Sequence, residues 1–520
     1  MKKTMIAGAV GALLALGTGS ALAAAPDDTM LATRTYREAV IAGDRALSIR
    51  TARLLDKAGA LPPDGLITLL IDDIAARQWK AARATVARIE QEQAFAFLGP
   101  VVRAWIDFGA GDADPWVTLG KAGKNGQGFA GTYLLENRAL MLLAQGSASE
   151  GAEAIKPIAS APGIRELNLR VLAAESLAAS GKRDEALAML AGDEPELKAQ
   201  SARIAAAKKS LPPAITPEFA LSELLVRIAL DINRERVTPL SPMLARLATF
   251  ADSGNDEAWL ATAQLLSATD RYEPGLRALD QIAPGGVFDR AAQITRVRIL
   301  MANSASEQAL AAIQPLVAQP GAGVPEWSLL GDIYGALERP ADAVPAYRKA
   351  IDLASASDKD DQLSTLWLLY GSALERSGKW PEAKVALTKA AELAPDQAIV
   401  LNYLGYAQLE RRENIAEARA LIEKAYNIKP GDAAITDSLG WALYLQGNFP
   451  GAIEKLEIAA EGEPGGSDIN EHLGDAYWSA GRRIEARYSW AAARVTAEKK
   501  DVPRLTRKID FGLEAAAPSP

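Results

Sequence analysis

The side chains best suited to chemistry fall in three groups near the carboxy terminus, about 34 residues apart. They are Asn402 and Tyr406; then Asp437, Trp441 and Tyr444; then Glu471, Asp475 and Trp478. Each group sets aromatics beside an acid or an amide. If each segment is a helix whose Leu and Gly face a second helix, these residues share a stripe roughly 120° around it. In the middle group the packing face would be Thr436, Leu439, Gly440 and Leu443, and the same offsets add Leu409 to the first group. Rigid aromatics supply apolar contact area and acids fix register, which suits a peptide or helix with basic or polar side chains. Stacking of sugar rings would use the same surface, with a cell-wall glycan as the ligand. A plain packing role competes, with the aromatics wedged between adjacent helices.

Catalytic chemistry has little to draw on. The chain has one histidine, His472, and no cysteine. Paired-histidine zinc motifs, thiolate metal sites, cysteine nucleophiles and disulfides are therefore excluded. His472, two residues before Gly474, reads as structural. No Gly-x-Ser-x-Gly elbow occurs. The acids Asp72 and Asp73, like Asp360 and Asp361, are adjacent in sequence and do not face one another. Gly123-Lys124 lacks the Ser or Thr and the glycine spacing of a phosphate-binding loop. These readings lead to a non-enzymatic chain with no cofactor and no metal.

The elements that must position the stripe follow from a repeat. Leu404-Gly405, Leu439-Gly440 and Leu473-Gly474 are followed by Ala418, Ala452 and Ala486, and seven residues later by Ala425, Ala459 and Ala493. Pro430 and Pro464 close the first two units. This rhythm predicts two antiparallel helices per unit, A and B. Glycine on helix A lets helix B approach, alanines seven apart share one face of B, and proline stops B. Two further units, Trp327-Leu330-Gly331-Tyr334 and Trp367-Gly371-Ala383-Ala390-Pro395, share the pattern. Weaker ones reach back to about residue 255 through Ala263 and Val297.

Together these units resemble tetratricopeptide repeats. The resemblance implies a superhelical α-solenoid of antiparallel helix pairs, with the A-helix stripe lining a concave groove. Asn402–Tyr406, Thr436–Trp441 and Glu471–Asp475 further resemble exported proteobacterial tetratricopeptide proteins. Some of those are outer-membrane lipoproteins that serve as adaptors of a carboxyl-terminal processing protease. This chain lacks the cysteine that carries the lipid.

The remaining sequence sets class and address. No segment alternates as a half-buried strand would, so the fold class is all-α. Lys2 and Lys3, an apolar run from Met5 to Leu16 and Ala21-Leu22-Ala23 read as a signal peptide over residues 1–23. Cleavage would leave a periplasmic chain without a membrane span and without a lipid. The formal charge is −8, or about −10 once Lys2 and Lys3 are set aside. That balance argues against nucleic acid and anionic lipid as partners.

Residues 24–250 read as divergent helical repeats, 251–498 as the regular array, and 499–520 as a terminal helix with a disordered tail. Within them, Ala94 to Phe108 is expected to be a helix kinked at Pro100, and Gly109 to Gly131 a flexible loop. Gly151 and Ala186 should be small helix-B positions opposite Leu142 and Leu177. Arg494 to about Leu513 should form one last helix. The function that follows is a periplasmic scaffold or adaptor in envelope protein quality control. It would bind segments of other envelope proteins through Asn402, Tyr406, Asp437, Trp441, Tyr444, Glu471, Asp475 and Trp478. The alternative is a glycan-binding protein of cell-wall assembly or polysaccharide export. Oligomeric state is not fixed by the sequence.

Overall fold

A computed structural model describes Leu22 and residues 28–125, 129–236, 238–354 and 360–513. Nearly all of the leader-like segment and residues 514–520 lie outside the described residues. Among those described there are helices and turns and no strand, so the fold is all-α. The chain divides into two compact units, one up to Leu316 and one from Val317.

The first unit begins with α1 (Thr29–Ala42), α2 (Arg45–Lys57), α3 (Pro63–Ala75), α4 (Trp79–Gln91), α5 (Gly99–Ala110) and α6 (Pro115–Asn125). It continues with α7 (Phe129–Ala144), α8 (Ala148–Ile155), α9 (Ile164–Ala179), α10 (Arg183–Met189) and α11 (Pro195–Ala206). It ends with α12 (Pro217–Glu235), α13 (Leu240–Ala251), α14 (Asp256–Ser267), α15 (Tyr272–Leu279), α16 (Asp289–Ala302) and α17 (Ser306–Val317).

Three sequence expectations are corrected here. Pro100 does not kink a helix; it sits in the first turn of α5, where its missing N–H removes no hydrogen bond. The glycine-rich passage is not one loop, because Gly109 ends α5, Gly120 and Gly123 lie in α6, and Gly131 lies in α7. Gly151 packs on Leu143 rather than Leu142, while Leu177 and Ala186 are buried as expected.

This unit is not held by nearest neighbours alone. α13 packs back on α1 and α3, and α12 packs on α3 and α5. Its interior also holds a charged cluster that joins α7, α9, α12 and α14. Arg165 donates to Glu257 at 2.5 Å and to Glu136, and lies 3.4 Å from Glu223. Asn255, the N-cap of α14, donates to Glu223 at 2.8 Å. Three carboxylates share one guanidinium in a low-dielectric interior. Burial, and then the charge of Glu257, push the Glu223 carboxyl up to about 8 against the pull of Arg165.

Among the described residues, the second unit is five A–B pairs and one more helix. The pairs are α18 (Val324–Ala336) with α19 (Pro340–Leu353), α20 (Asp360–Arg376) with α21 (Trp380–Leu393), and α22 (Ala398–Glu410) with α23 (Ile415–Ile428). Then come α24 (Ala433–Leu445) with α25 (Phe449–Gly462), α26 (Ser467–Ser479) with α27 (Arg483–Thr496), and finally α28 (Val502–Phe511). Each A helix packs on its own B, and each B on the next A.

The glycines do what their spacing predicts. A Cβ on Gly440 would lie 2.6 Å from Leu456 Cγ, and one on Gly405 2.7 Å from Ile422 Cγ1. Gly371 meets Leu387 in the same way, at 2.7 Å. The paired alanines of helix B, such as Ala418 with Ala425 and Ala452 with Ala459, are fully buried. Three A–B turns pass through a left-handed glycine, Gly378, Gly447 or Gly481. The turn after α22 is one residue longer and uses two non-glycine left-handed residues, Arg412 and Asn414. The last expected helix is corrected: α27 stops at Thr496, Ala497 is extended, and Pro503 opens α28 as a separate element.

Two outcomes follow. Gly440→Ala should destabilise the second unit by about 1–3 kcal/mol, the usual cost of overpacking a tight contact, read from its denaturation midpoint. In the first unit the raised Glu223 carboxyl holds a proton in the folded state that the unfolded chain releases near pH 4.3. Its contribution to stability is full below that value and lost as pH climbs toward about 8. Urea titrations at several pH values should therefore show a shallower decline in Glu223→Gln than in the parent chain.

Candidate functional site

The A helices α22, α24 and α26 stand side by side, and their open edges enclose a cavity of about 530 Å³. Its lining includes Asn402, Tyr403 and Tyr406 of α22, Asp437 of α24, and Glu463 and Asp468 at the turn into α26. Ile399, Ile435 and Ile469 give it apolar patches, and among the described residues no lysine or arginine lines it. The Asn402 side-chain oxygen is buried without a hydrogen-bond partner. Asp432, also on the rim, caps α24 and pairs with Lys429 at 2.7 Å. Asn402, Tyr406 and Asp437 thus lie together in a cavity, as the sequence stripe requires.

The middle of the stripe is committed to a ring stack. Trp441 lies 4.7 Å from Tyr444 at an interplanar angle of 11°, and 4.2 Å from His472 at 15°. Tyr406 extends the row, tilted at 6.4 Å from His472, and Phe449 lies 5.7 Å beyond Tyr444. The Trp441 indole N–H donates to Glu410 at 3.2 Å. All three aromatic residues of the stripe here, Tyr406, Trp441 and Tyr444, are half-buried.

His472 has the structural role that the sequence assigns to it. It is buried and bridges two repeats, its Nδ1 lying 3.0 Å from Asp437 Oδ1. Burial alone would depress its pKa. The charge and hydrogen bond of Asp437, helped by Asp475 and Glu410, outweigh burial and raise it above the ordinary value. Burial, with Glu410 and Asp437 beside it, also pushes the Tyr406 phenol far up, so it stays protonated. The available signal for His472 was its two-residue offset from Gly474, which puts it on the side of α26 facing α24.

The far end of the stripe is not open, which corrects the expectation of a continuous groove. Glu471 and Asp475 are buried beneath α28. Lys508 donates to Glu471 at 2.6 Å and to both oxygens of Asp475 at 2.7 and 2.8 Å. Arg504 also pairs with Glu471, and the fully buried Trp490 donates to Asp475 at 2.8 Å. Trp478 has Arg483 3.9 Å above its ring, Trp490 at 5.3 Å, and Gly512 pressed on its edge. Arg487 ties α28 down by donating to the Ile509 carbonyl at 2.9 Å. Burial lowers the Lys508 pKa in spite of Asp475. Sequence reading missed this cover because α28 lacks the Leu-Gly pattern, although it starts where the next A helix falls due.

These elements define an all-α helical-repeat protein with the architecture of a protein-interaction fold. Among the described residues no helix is long and apolar enough to cross a membrane. Profiles of the tetratricopeptide repeat match residues 368–433 and 438–499, and another matches 327–357. These segments are tetratricopeptide repeats.

Among solved structures, MamA from Desulfovibrio magneticus RS-1 is 17% identical over 33% of this chain and 94% of its own, with a TM-score of 0.29. MamA AMB-1 is 22% identical over 33% and 96%, with a TM-score of 0.28. PilF of Pseudomonas aeruginosa is 19% identical over 42% and 96%, with a TM-score of 0.35. No curated protein sequence matches the chain.

The His472 pairing has a measurable sign. Because the folded imidazole holds its proton more tightly than an unfolded one, its stabilisation is complete below about pH 6.5 and fades as pH rises through the higher folded value. As the one histidine of the chain, its ring gives a single NMR titration. That titration should lie above 6.5 in the parent and drop in Asp437→Asn, where only Asp475 and Glu410 still oppose burial.

Proposed function

We propose that the carboxy-terminal repeats bind a segment of another protein in the cavity between α22, α24 and α26, without catalysis. The observation that carries this reading is the lining itself. Carboxylates of Asp437, Glu463 and Asp468 surround apolar isoleucines and Tyr406, and no cation answers them there except His472 from the flank. A guest with lysine or arginine side chains would restore the charge balance, and its apolar side chains would cover Ile399, which is 63% exposed. In this reading residues 1–23 export the chain to the periplasm, and the guest belongs to another envelope protein in a quality-control role.

The glycan alternative loses ground on geometry. A bound sugar needs an open aromatic face, whereas Trp441 already stacks on two rings and Trp478 is engaged by Arg483 and Trp490. Of the eight stripe residues, Asn402, Tyr406 and Asp437 therefore contact the guest. Trp441 and Tyr444 hold the wall in place, and Glu471, Asp475 and Trp478 anchor α28.

The test is a peptide array probed with the purified chain. Lys/Arg-rich peptides should be retained over acidic ones, and affinity should drop about tenfold or more between low and physiological salt, as screened surface charge requires. Tyr406→Ala should weaken retention with little loss of helicity. Retention of acidic and basic peptides alike would refute the reading.

A further inference from the structure

We propose that the first unit holds a site for a phosphate-type dianion, formed by Arg246 of α13 and Arg277 of α15 beside the turn between α1 and α2. The site owes nothing to the cavity of the second unit. Arg246 is only 4% exposed, yet among the described residues it stands in no ion pair and its guanidinium donates no hydrogen bond. Arginine carries five N–H donors, and buried polar groups ordinarily find partners. Here Nε is sealed without one. Nη1 lies 3.6 Å from where a Cβ on Gly43 would stand, and Gly43 is exposed, so the guanidinium end is the part nearest solvent.

The surroundings hold this cation in place without neutralising it. The Trp259 ring of α14 lies 5.6 Å from the guanidinium carbon, and its indole N–H is fixed on the Ser253 carbonyl at 3.0 Å. The end of α1 favours a positive charge through its dipole. Its Val40 and Ala39 carbonyls, however, are taken by the N–H groups of Gly43 and Asp44 at 3.1 and 2.9 Å. Acids of the nearby turns are engaged elsewhere. Asp44 accepts from Leu47 at 2.9 Å, Asp252 from Gly254 at 2.8 Å, and Asp280 pairs with Arg296 at 2.7 Å. The charge that does reach Arg246 is that of a second cation. Burial, and then Arg277, pull its pKa down to about 10, so it stays charged at neutral pH. Arg277 is itself exposed and in no ion pair among the described residues. Two cations without a carboxylate call for a dianion, and a phosphate group carries roughly −1.5 to −2 at neutral pH. Its oxygens also match the guanidinium fork, whereas one carboxylate would leave a charge unanswered.

The experiment is isothermal titration calorimetry of the full chain with inorganic phosphate, glycerol phosphate and acetate at constant ionic strength. Phosphate should bind saturably and about tenfold or more tighter than acetate. The exposed variant Arg277→Gln should weaken phosphate about tenfold, and Arg246→Met should abolish its binding. In phosphate-free buffer Arg246→Met should melt no lower than the parent, because a buried charge without a partner is itself unfavourable. Whichever of inorganic phosphate and its ester binds tighter identifies the source of the group, and either result supports the site.

A parent chain that binds neither phosphate would overturn the inference. So would acetate binding as tight as phosphate, or phosphate binding that survives Arg277→Gln undiminished. A large drop in the melting temperature of Arg246→Met, with phosphate binding unchanged in Arg277→Gln, would make Arg246 a packing residue and equally overturn it.

Discussion

The second unit depends on the approach of two helix backbones at positions where a methyl group will not fit. Gly405, Gly440 and Gly474 each face a bulky side chain of their own helix B, namely Ile422, Leu456 and Trp490. That approach fixes the rotation of every A helix about its axis. Once Leu and Gly are turned toward B, the residues three before and one after the glycine fall on an adjoining side, roughly 60–100° around the helix. The chemistry of the stripe is therefore a by-product of steric fit.

On that adjoining side, charge decides what is exposed. Three consecutive A helices carry an amide, an aspartate and a glutamate at the same offset, and each is treated differently. Asn402 keeps an unanswered oxygen, Asp437 is met by His472, and Glu471 is met by Lys508 and Arg504. The acid load rises toward the carboxy terminus, and the compensating cation is supplied from within wherever the load is greatest. Burying one carboxylate without a counter-charge would cost several kcal/mol, so cover and acid must be inherited together.

Much of the fold was legible in the sequence because the repeat is written in residues that have one physical use. Gly440 against its helix B and Ala452 beside Ala459 could be placed from spacing alone. The register of the five carboxy-terminal pairs followed, including the longer turn after α22. What resisted reading lies between elements distant in sequence. No local pattern joins Arg165 to Glu223 and Glu257, nor α13 to α1, because those contacts span tens to hundreds of residues without a period. The site was legible to the same degree. Asn402, Tyr406 and Asp437 share a face and a cavity, whereas the fate of Glu471, Asp475 and Trp478 was decided by a helix that keeps the spacing of the array without its Leu-Gly pattern.

The docked helix α28 also sets a limit on the evolutionary growth of the array. A duplicated repeat inserted after Thr496 would separate Lys508 and Arg504 from Glu471 and Asp475 by a whole helix pair, stranding two interior anions. The joints before α24 are crossed instead by partly exposed ion pairs such as Arg411–Glu375 and Lys384–Glu413, which cost less to break. The carboxy-terminal boundary of the solenoid is thus fixed by electrostatics, and its amino-terminal side remains free to lengthen.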